Sequence, residues 1–467
     1  MDRLMNTRIE TDAFGDIEVG EDKYWGAQTE RALKNFQISG ELMPKVFIHA
    51  LGLQKLAAAQ VNMLFGELTP YLGTPIVQAA KEVWSGKFDD QFPLVIWQSG
   101  SATQTHMNCN EVIAGRANEI LTGHRGGKSP VHPNDHVNYS QSSNDSITTA
   151  MNIATVIEIH HTLLPAIEHM KLTLLHKVEV FKDIIKVGRT HLQDATPITL
   201  GQEFSAWARQ IELAEERISS VLPRLYLLAQ GGTAVGTGLN SKRGFDVAFA
   251  DQISTLTKFP FKPAINKFEA LSTHDSLVEL SGVLNTLAAG LMKIANDIRL
   301  LSSGPRCGLG EITIPANEPG SSIMPGKVNP SQVEAMTMVC AQVIGNHLAI
   351  TIGGMSGSLE LNVFKPVIIY NILNSIKIIS DVVRSFSDNC LQGIEANQKR
   401  IKNHLDQSVM IVSVLNAILG YDQTTKIAQK AYEEKITIKQ AALEHGLLSK
   451  TELESYLRPE NMISPLD

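Results

Sequence analysis

Long stretches of helical periodicity constrain this chain more than any other feature. From Asp145 to Phe181, apolar side chains recur at Ile153, Val156, Ile157, Leu163, Leu164, Ile167, Met170, Leu174 and Val178. A repeat near 3.6 residues reads as α-helix, and Pro165 within it predicts a kink. The same pattern covers about 201–229, 275–302, 330–352 and 360–388. Helices of roughly 25–35 residues far exceed the usual ~11–12. Helices of this kind pack side by side, so a long-helix bundle is expected.

With 467 residues the chain has room for about three domains of ~150 residues. Residues 1–140 read as a mixed, mostly helical N-terminal domain. Residues 141–393 read as the central long-helix bundle, and 394–467 as a small helical C-terminal domain. The fold class is mainly α. Hydrophobic residues make up 43% and charged residues only 19%, below the ~25% of ordinary domains, which favours burial in an oligomer. The net charge of -7 and the absence of a basic stripe speak against nucleic-acid binding. An anionic substrate therefore needs a local cationic pocket. No run of ~18 uninterrupted apolar residues is present, so no membrane span is expected. The four cysteines, Cys109, Cys307, Cys340 and Cys390, form no CxxC pair and fit a reducing cytoplasm. The opening MDRLMNTRIETDAFG lacks an apolar leader core.

Several local patterns imitate ligand sites. Gly126-Gly127-Lys128-Ser129 looks like the end of a phosphate loop, but Thr122 stands where its first glycine belongs and Pro130 follows, so a surface turn is expected. GGTAVGTG at 231–238 lacks the strand–GxGxxG–helix context of a dinucleotide site and reads as a helix-ending loop. His132 and His136 have metal-ligand spacing, yet Pro133-Asn134-Asp135 between them reads as a turn or cap. His160 and His161 lie mid-helix and read as packing or surface positions.

Residues 317–334, NEPGSSIMPGKVNPSQVE, carry the strongest chemical signal. Pro319, Gly320, Pro325 and Gly326 bracket a segment that cannot be regular helix or strand. Asn329 is expected to cap a following helix, with Pro330 at its first position and Gln332 completing a capping box. Lys327 and Asn329 then stand at a helix N-terminus, where free N–H groups and the helix dipole favour carboxylates.

Three ordered motifs accompany that reading: GSSIMPGKVNP at 320–330, HPNDHVN at 132–138 with QSSND at 141–145, and GRTHLQDATPITLGQE at 188–203. On these the chain resembles, end to end, the class II fumarate hydratases of the fumarase/aspartase superfamily. The resemblance implies three mostly helical domains and a homotetramer whose central helices form one bundle. It implies active sites shared between subunits and dicarboxylate substrates (fumarate and L-malate). The sequence has no clustered metal ligands and no nucleotide fingerprint, so activity without a metal or organic cofactor is expected. Ser321 matches the base for the C3 proton of malate. His191 with Thr190 matches the pair that handles water or hydroxyl, and Glu334 the carboxylate partnering that histidine. Ser101, Ala102, Thr103, Ser142, Ser143, Asn144, Ser322, Lys327, Val328 and Asn329 match substrate-binding positions. His132, Pro133, Asn134 and Asp135 match a secondary anion site.

The chemistry accounts for these residue types. Removing a proton beside a carboxylate builds a doubly negative aci-carboxylate, and each preorganised donor there is worth ~3–4 kcal/mol. A serine can act as base only if its alkoxide is stabilised; backbone N–H groups beside Gly320 and Ser322, and the Lys327 ammonium, are the expected sources. Departures are Ala102, Thr105 and His106, where the family usually has glycine, serine and asparagine, and Ser129, where some relatives carry a basic residue. The nearest rival, aspartate ammonia-lyase, usually reads IMPAKVNP, whereas this chain has Gly326. A recruited structural protein would not need the intact Ser321, His191 and Lys327. An iron–sulfur hydratase would need clustered ligands that the scattered cysteines do not provide.

Overall fold

The computed structural model describes residues 6–465; part of the N-terminal stretch read as lacking a leader, residues 1–5, lies outside them. Seventeen α-helices dominate the described residues, and the short strands occur only as two-stranded pairs. The chain is mainly α.

The long helices form where the periodicity places them: Leu200–Leu225, Asp275–Leu301, Ser331–Gly354 and Lys365–Asn389. The first repeat is not one α-helix. Ser143–Glu158 passes into a π turn, Ile159–Leu163, and resumes as Leu164–Val180. The wide turn sits immediately before Pro165, whose missing N–H and bulky ring disrupt a regular ladder. The last repeat starts late, because a small hairpin pairs Gly357–Ser358 with Leu361–Asn362 ahead of Lys365. Asn329 does not cap the helix that follows it. Its amide instead donates to the Gly320 carbonyl, while Gln332 accepts from Ser385 at 2.9 Å. Holding the loop closed takes the side chain that a capping box would have used.

Three helices, Asp275–Leu301, Ser331–Gly354 and Lys365–Gly393, are long and apolar enough to cross a membrane by length and composition. The expectation of none rested on uninterrupted apolar runs, which these helices avoid by spacing single polar residues. Those residues make bonds to neighbouring helices. Ser281 Oγ lies 2.8 Å from His347 Nδ1, and Asn346 donates to Asn374 and Ser375 at 3.1 and 3.0 Å. Helices apolar on most sides suit either lipid or the interior of a helical assembly.

The chain forms two compact units. One comprises Met1–Pro165, Glu216–Ala288 and Ala341–Ile379; the other comprises Ala166–Glu215, Ala289–Cys340 and Ser380–Asp467. The first unit holds the N-terminal hairpin and the helices Lys45–Leu64, Thr103–Thr122 and Ser143–Glu158. Its core includes Phe47, Leu51, Leu53, Ile113 and Ile153. The second holds the hairpin Ile185–Thr190/Gln193–Thr199 and the loop before Ser331. Its C-terminal helices pack around Val412, Leu415, Ile427, Ile438 and Leu453.

Candidate active site

In the first unit, two helix N-termini present a line of hydroxyls. Ser99 Oγ lies 2.9 Å from Ser101 Oγ, which lies 2.8 Å from Thr103 Oγ1, which lies 3.0 Å from Ser143 Oγ. Thr103 opens the helix Thr103–Thr122, and Ser143 opens Ser143–Glu158. Hydroxyl protons can rotate to suit an anion, and both dipoles favour one there. Ala102 precedes the first helix in the left-handed region at φ 56° and is fully buried. A glycine at this position would take that conformation without strain.

Ser142 closes a capping box with Asp145. Asp145 is completely buried and accepts from the backbone N–H groups of Ser142, Gly231 and Thr233 at 2.9, 3.1 and 2.9 Å. Burial pushes its carboxyl up to about 6, against the pull of those three donors. The glycine-rich stretch is therefore no nucleotide loop. It ends no helix directly either, because the strand Leu227–Leu228 intervenes after Leu225. Gly231, at φ 92° and hard against Asp246, turns its N–H onto Asp145. Asn144 is anchored to the same stretch by a 2.7 Å bond to the Ala234 carbonyl.

Behind this edge stands Lys55, buried mid-helix. Its ammonium reaches His106 Nε2 at 2.7 Å, Gln141 Oε1 at 2.8 Å and Asn138 Oδ1 at 3.2 Å. Desolvation brings Lys55 down to about 7 and drives His106 well below the ordinary histidine range. Neither Lys55 nor Asp145 stood out as a site residue in the sequence. A single lysine inside the apolar run of Phe47–Val61 is the signal that marks the first.

The His132 motif folds as a π turn, Pro133–Val137. His132 Nδ1 accepts from the N–H groups of Asn134 and Asp135 at 3.1 and 3.2 Å, and His136 Nδ1 accepts from His132 N–H at 2.8 Å. Both rings serve as caps, and the two N–H groups suited to an anion are already bonded. Gly126 and Gly127 form a turn in the left-handed region. His160 stacks on Phe259 at 4.4 Å and bonds Tyr226. Among the described residues no group of three His, Cys, Asp or Glu side chains could hold a metal ion.

In the second unit, His191 and Leu192 are the two turn residues of the hairpin, with Thr190 paired to Gln193. Both have positive φ, 57° and 60°. Such a two-residue turn normally uses Asn-Gly, so strain is held where the matched histidine sits. Charged side chains brace the hairpin's base. Glu311, fully buried, meets Arg189 at 2.7 Å, His404 at 3.0 Å and Lys186 at 3.2 Å, and Lys186 also meets Glu203 at 3.0 Å.

The loop before Ser331 closes on itself: Gly320 N–H donates to the Lys327 carbonyl at 3.0 Å and Gly326 turns at φ 76°. Ser321 Oγ accepts the N–H groups of Ile323 and Met324 at 3.3 and 3.0 Å. The Ile323 N–H stands beside Ser322, while the Gly320 N–H is spent on closing the loop. Ser322, Lys327 and Val328 are exposed and Asn329 is half-buried. Among the described residues, the His191 ring, the Lys327 ammonium and the Glu334 carboxylate are exposed and make no hydrogen bond or ion pair.

A lyase family model matches residues 15–345, and a fumarase C C-terminal model matches residues 411–464. A fumarate hydratase class II of Rickettsia prowazekii is 59% identical over 461 residues, covering 99% of this chain and 100% of its own. The chain belongs to the class II fumarate hydratases. The mitochondrial fumarate hydratase of Rhizopus oryzae is 58% identical, covering 99% of this chain and 94% of its own. The crystal structure of the class II fumarase of Schistosoma mansoni superposes with a TM-score of 0.96 at 44% identity, covering 98% of this chain and 99% of that one. Membership in the class II fumarate hydratases makes the chain a hydro-lyase.

Proposed function

We propose that the protein interconverts fumarate and L-malate by anti addition and elimination of water through an aci-carboxylate intermediate. The observation that carries this reading is the Ser321 hydroxyl, whose oxygen already accepts two backbone N–H groups. Those donors stabilise an alkoxide, as a serine needs in order to take the C3 proton. Lys327, Asn329, Ser322, Val328 and the first-turn N–H groups after Pro330 receive the charge that develops on the adjacent carboxylate. Ser101, Ala102, Thr103, Ser142, Ser143 and Asn144 hold substrate at the hydroxyl edge. His191, with Thr190 and partnered by Glu334, gives a proton to the departing hydroxyl or takes one from the attacking water. The reaction as proposed needs no metal or organic cofactor. His132, Pro133, Asn134 and Asp135 form at most a secondary anion site, since the cap must release its N–H groups first.

The proposed assembly is a cytoplasmic homotetramer with shared sites. Its support is the face of Ser331–Gly354 and the residue after it, where Met338, Ile344, Leu348, Ile352 and Met355 are exposed. Copies packed through that face cover these side chains, and the partnerless His191 and Glu334 find each other across subunits.

Absorbance at the fumarate band tests the reading. Chelated protein given malate produces fumarate, and given aspartate produces none. Fumarate from aspartate alone, or activity that returns only with added metal, overturns it.

A further inference from the structure

Three sequence motifs in the first unit meet at one side chain. Lys55 lies on Lys45–Leu64, fully buried. Its three N–H bonds go to His106 on the helix that Thr103 opens, to Asn138 at the end of the His132 turn, and to Gln141 directly before Ser142. The acceptors are themselves locked. Asn138 donates to the Gln141 carbonyl at 3.2 Å, and Gln141 donates to the Val137 and Tyr139 carbonyls at 3.1 and 2.9 Å. Gln54, the neighbouring helical residue, adds a 3.0 Å bond to Gln141 and a 3.2 Å bond to Ser146.

We propose that Lys55 is a positioning residue for the substrate-carboxylate edge, its buried ammonium joining the Thr103 helix, the His132 turn and the Gln141–Asn144 segment through His106, Asn138 and Gln141. The inference rests on the hydroxyl edge binding a substrate carboxylate. It makes His106 part of the clamp. His106 accepts through Nε2 only while unprotonated, and then one proton serves the Lys55–His106 contact. The titratable groups facing the ammonium are His106 and Cys109 from one helix and Asp145 from another. Cys109, pushed up to about 12 by burial, stays neutral, and Asp145, up at about 6, is ionised at neutral pH. The ammonium therefore balances Asp145 and adds positive potential behind the edge.

Its proton is retained below its pKa, so the clamp is intact at low pH and loosens as pH rises through about 7. The test is KM for malate across pH, with kcat recorded separately because His191 acts there. In the wild type, KM climbs as Lys55 deprotonates. Lys55→Met raises KM about tenfold or more on the acid side, the cost of stranding buried acceptors, and removes the climb. His106→Leu takes away one acceptor of the ammonium and shifts the climb to lower pH. Lost packing alone raises KM equally at every pH. A tetrameric Lys55→Met protein with wild-type KM, or a climb unmoved in His106→Leu, overturns the proposal. If Lys55→Met does not assemble, His106→Leu decides. Wild-type turnover of malate accompanying either result leaves the proposed function standing; its absence removes that function instead.

Discussion

The strained turn carrying His191 depends on the charged cluster beneath it, and Glu311→Gln probes that dependence. The Glu311 carboxylate has no solvent exposure and faces Arg189, Lys186 and His404; Lys186 is 1% exposed. Neutralising it leaves the buried Lys186 and the half-buried Arg189 against the single carboxylate of Glu203. Breaking a buried pair by removing one partner costs ~3–5 kcal/mol, and glutamine's remaining oxygen places this variant near the lower end. Replacing Lys186 with methionine as well removes one stranded charge, so Lys186→Met/Glu311→Gln is more stable than Glu311→Gln alone. Hydrogen exchange of strand Ile185–Thr190 reads the loss locally, where a single unfolding free energy for a multi-unit chain does not. Turnover falls with it, since the turn positions His191. The pH response has a definite sign. Burial, the largest influence, raises the Glu311 carboxyl, but Arg189, Lys186 and His404 together outweigh it and hold it below its usual range. Its contribution is present above the unfolded pKa and is lost as pH falls through the folded one. In Glu311→Gln that acid-side loss disappears. Wild-type exchange and turnover in Glu311→Gln would refute the bracing argument.

His191→Asn and Ser321→Ala each lower turnover by ~10²-fold or more, and refolding the two together restores activity through sites that carry neither lesion; a fully active monomer by sedimentation contradicts this. Ala102→Gly changes stability by less than ~1 kcal/mol, because release from a left-handed conformation costing alanine ~1–2 kcal/mol is offset by the lost buried methyl (~0.8 kcal/mol) and glycine's greater unfolded freedom (~0.5–1 kcal/mol). Hydrogen exchange of the helix Thr103–Thr122 measures it locally, and a loss above ~2 kcal/mol means that the methyl packs more tightly than burial alone implies.

Periodicity made the long helices legible because their apolar faces repeat over many turns, as from Ile153 to Val178. It could not reveal the π turn at Ile159–Leu163, which leaves the apolar pattern intact while widening one backbone turn. Asn329 read as a cap because propensity describes local partners, whereas its amide bonds Gly320, nine residues back. The hairpin tip was equally hidden: His-Leu is a poor turn sequence, and only the pairing of Thr190 with Gln193 imposes positive φ on both. Motif resemblance singled out chemically typical loop positions such as the half-buried Ser321 and the exposed Lys327. The buried charges Lys55, Asp145 and Glu311 act through residues distant in the chain, so no short pattern announces them.

The apolar face of Ser331–Gly354 has a consequence for abundance. Fully covering a large aliphatic side chain is worth ~1.5–3 kcal/mol, and five neighbours, from Met338 to Met355, stand open in the lone subunit. If four copies supply one another's cover, folded stability rises with the amount of chain made. Where subunit concentration lies near the dissociation constant, halving synthesis then costs the cell more than half of its working sites, because assembly of four copies falls faster than their concentration.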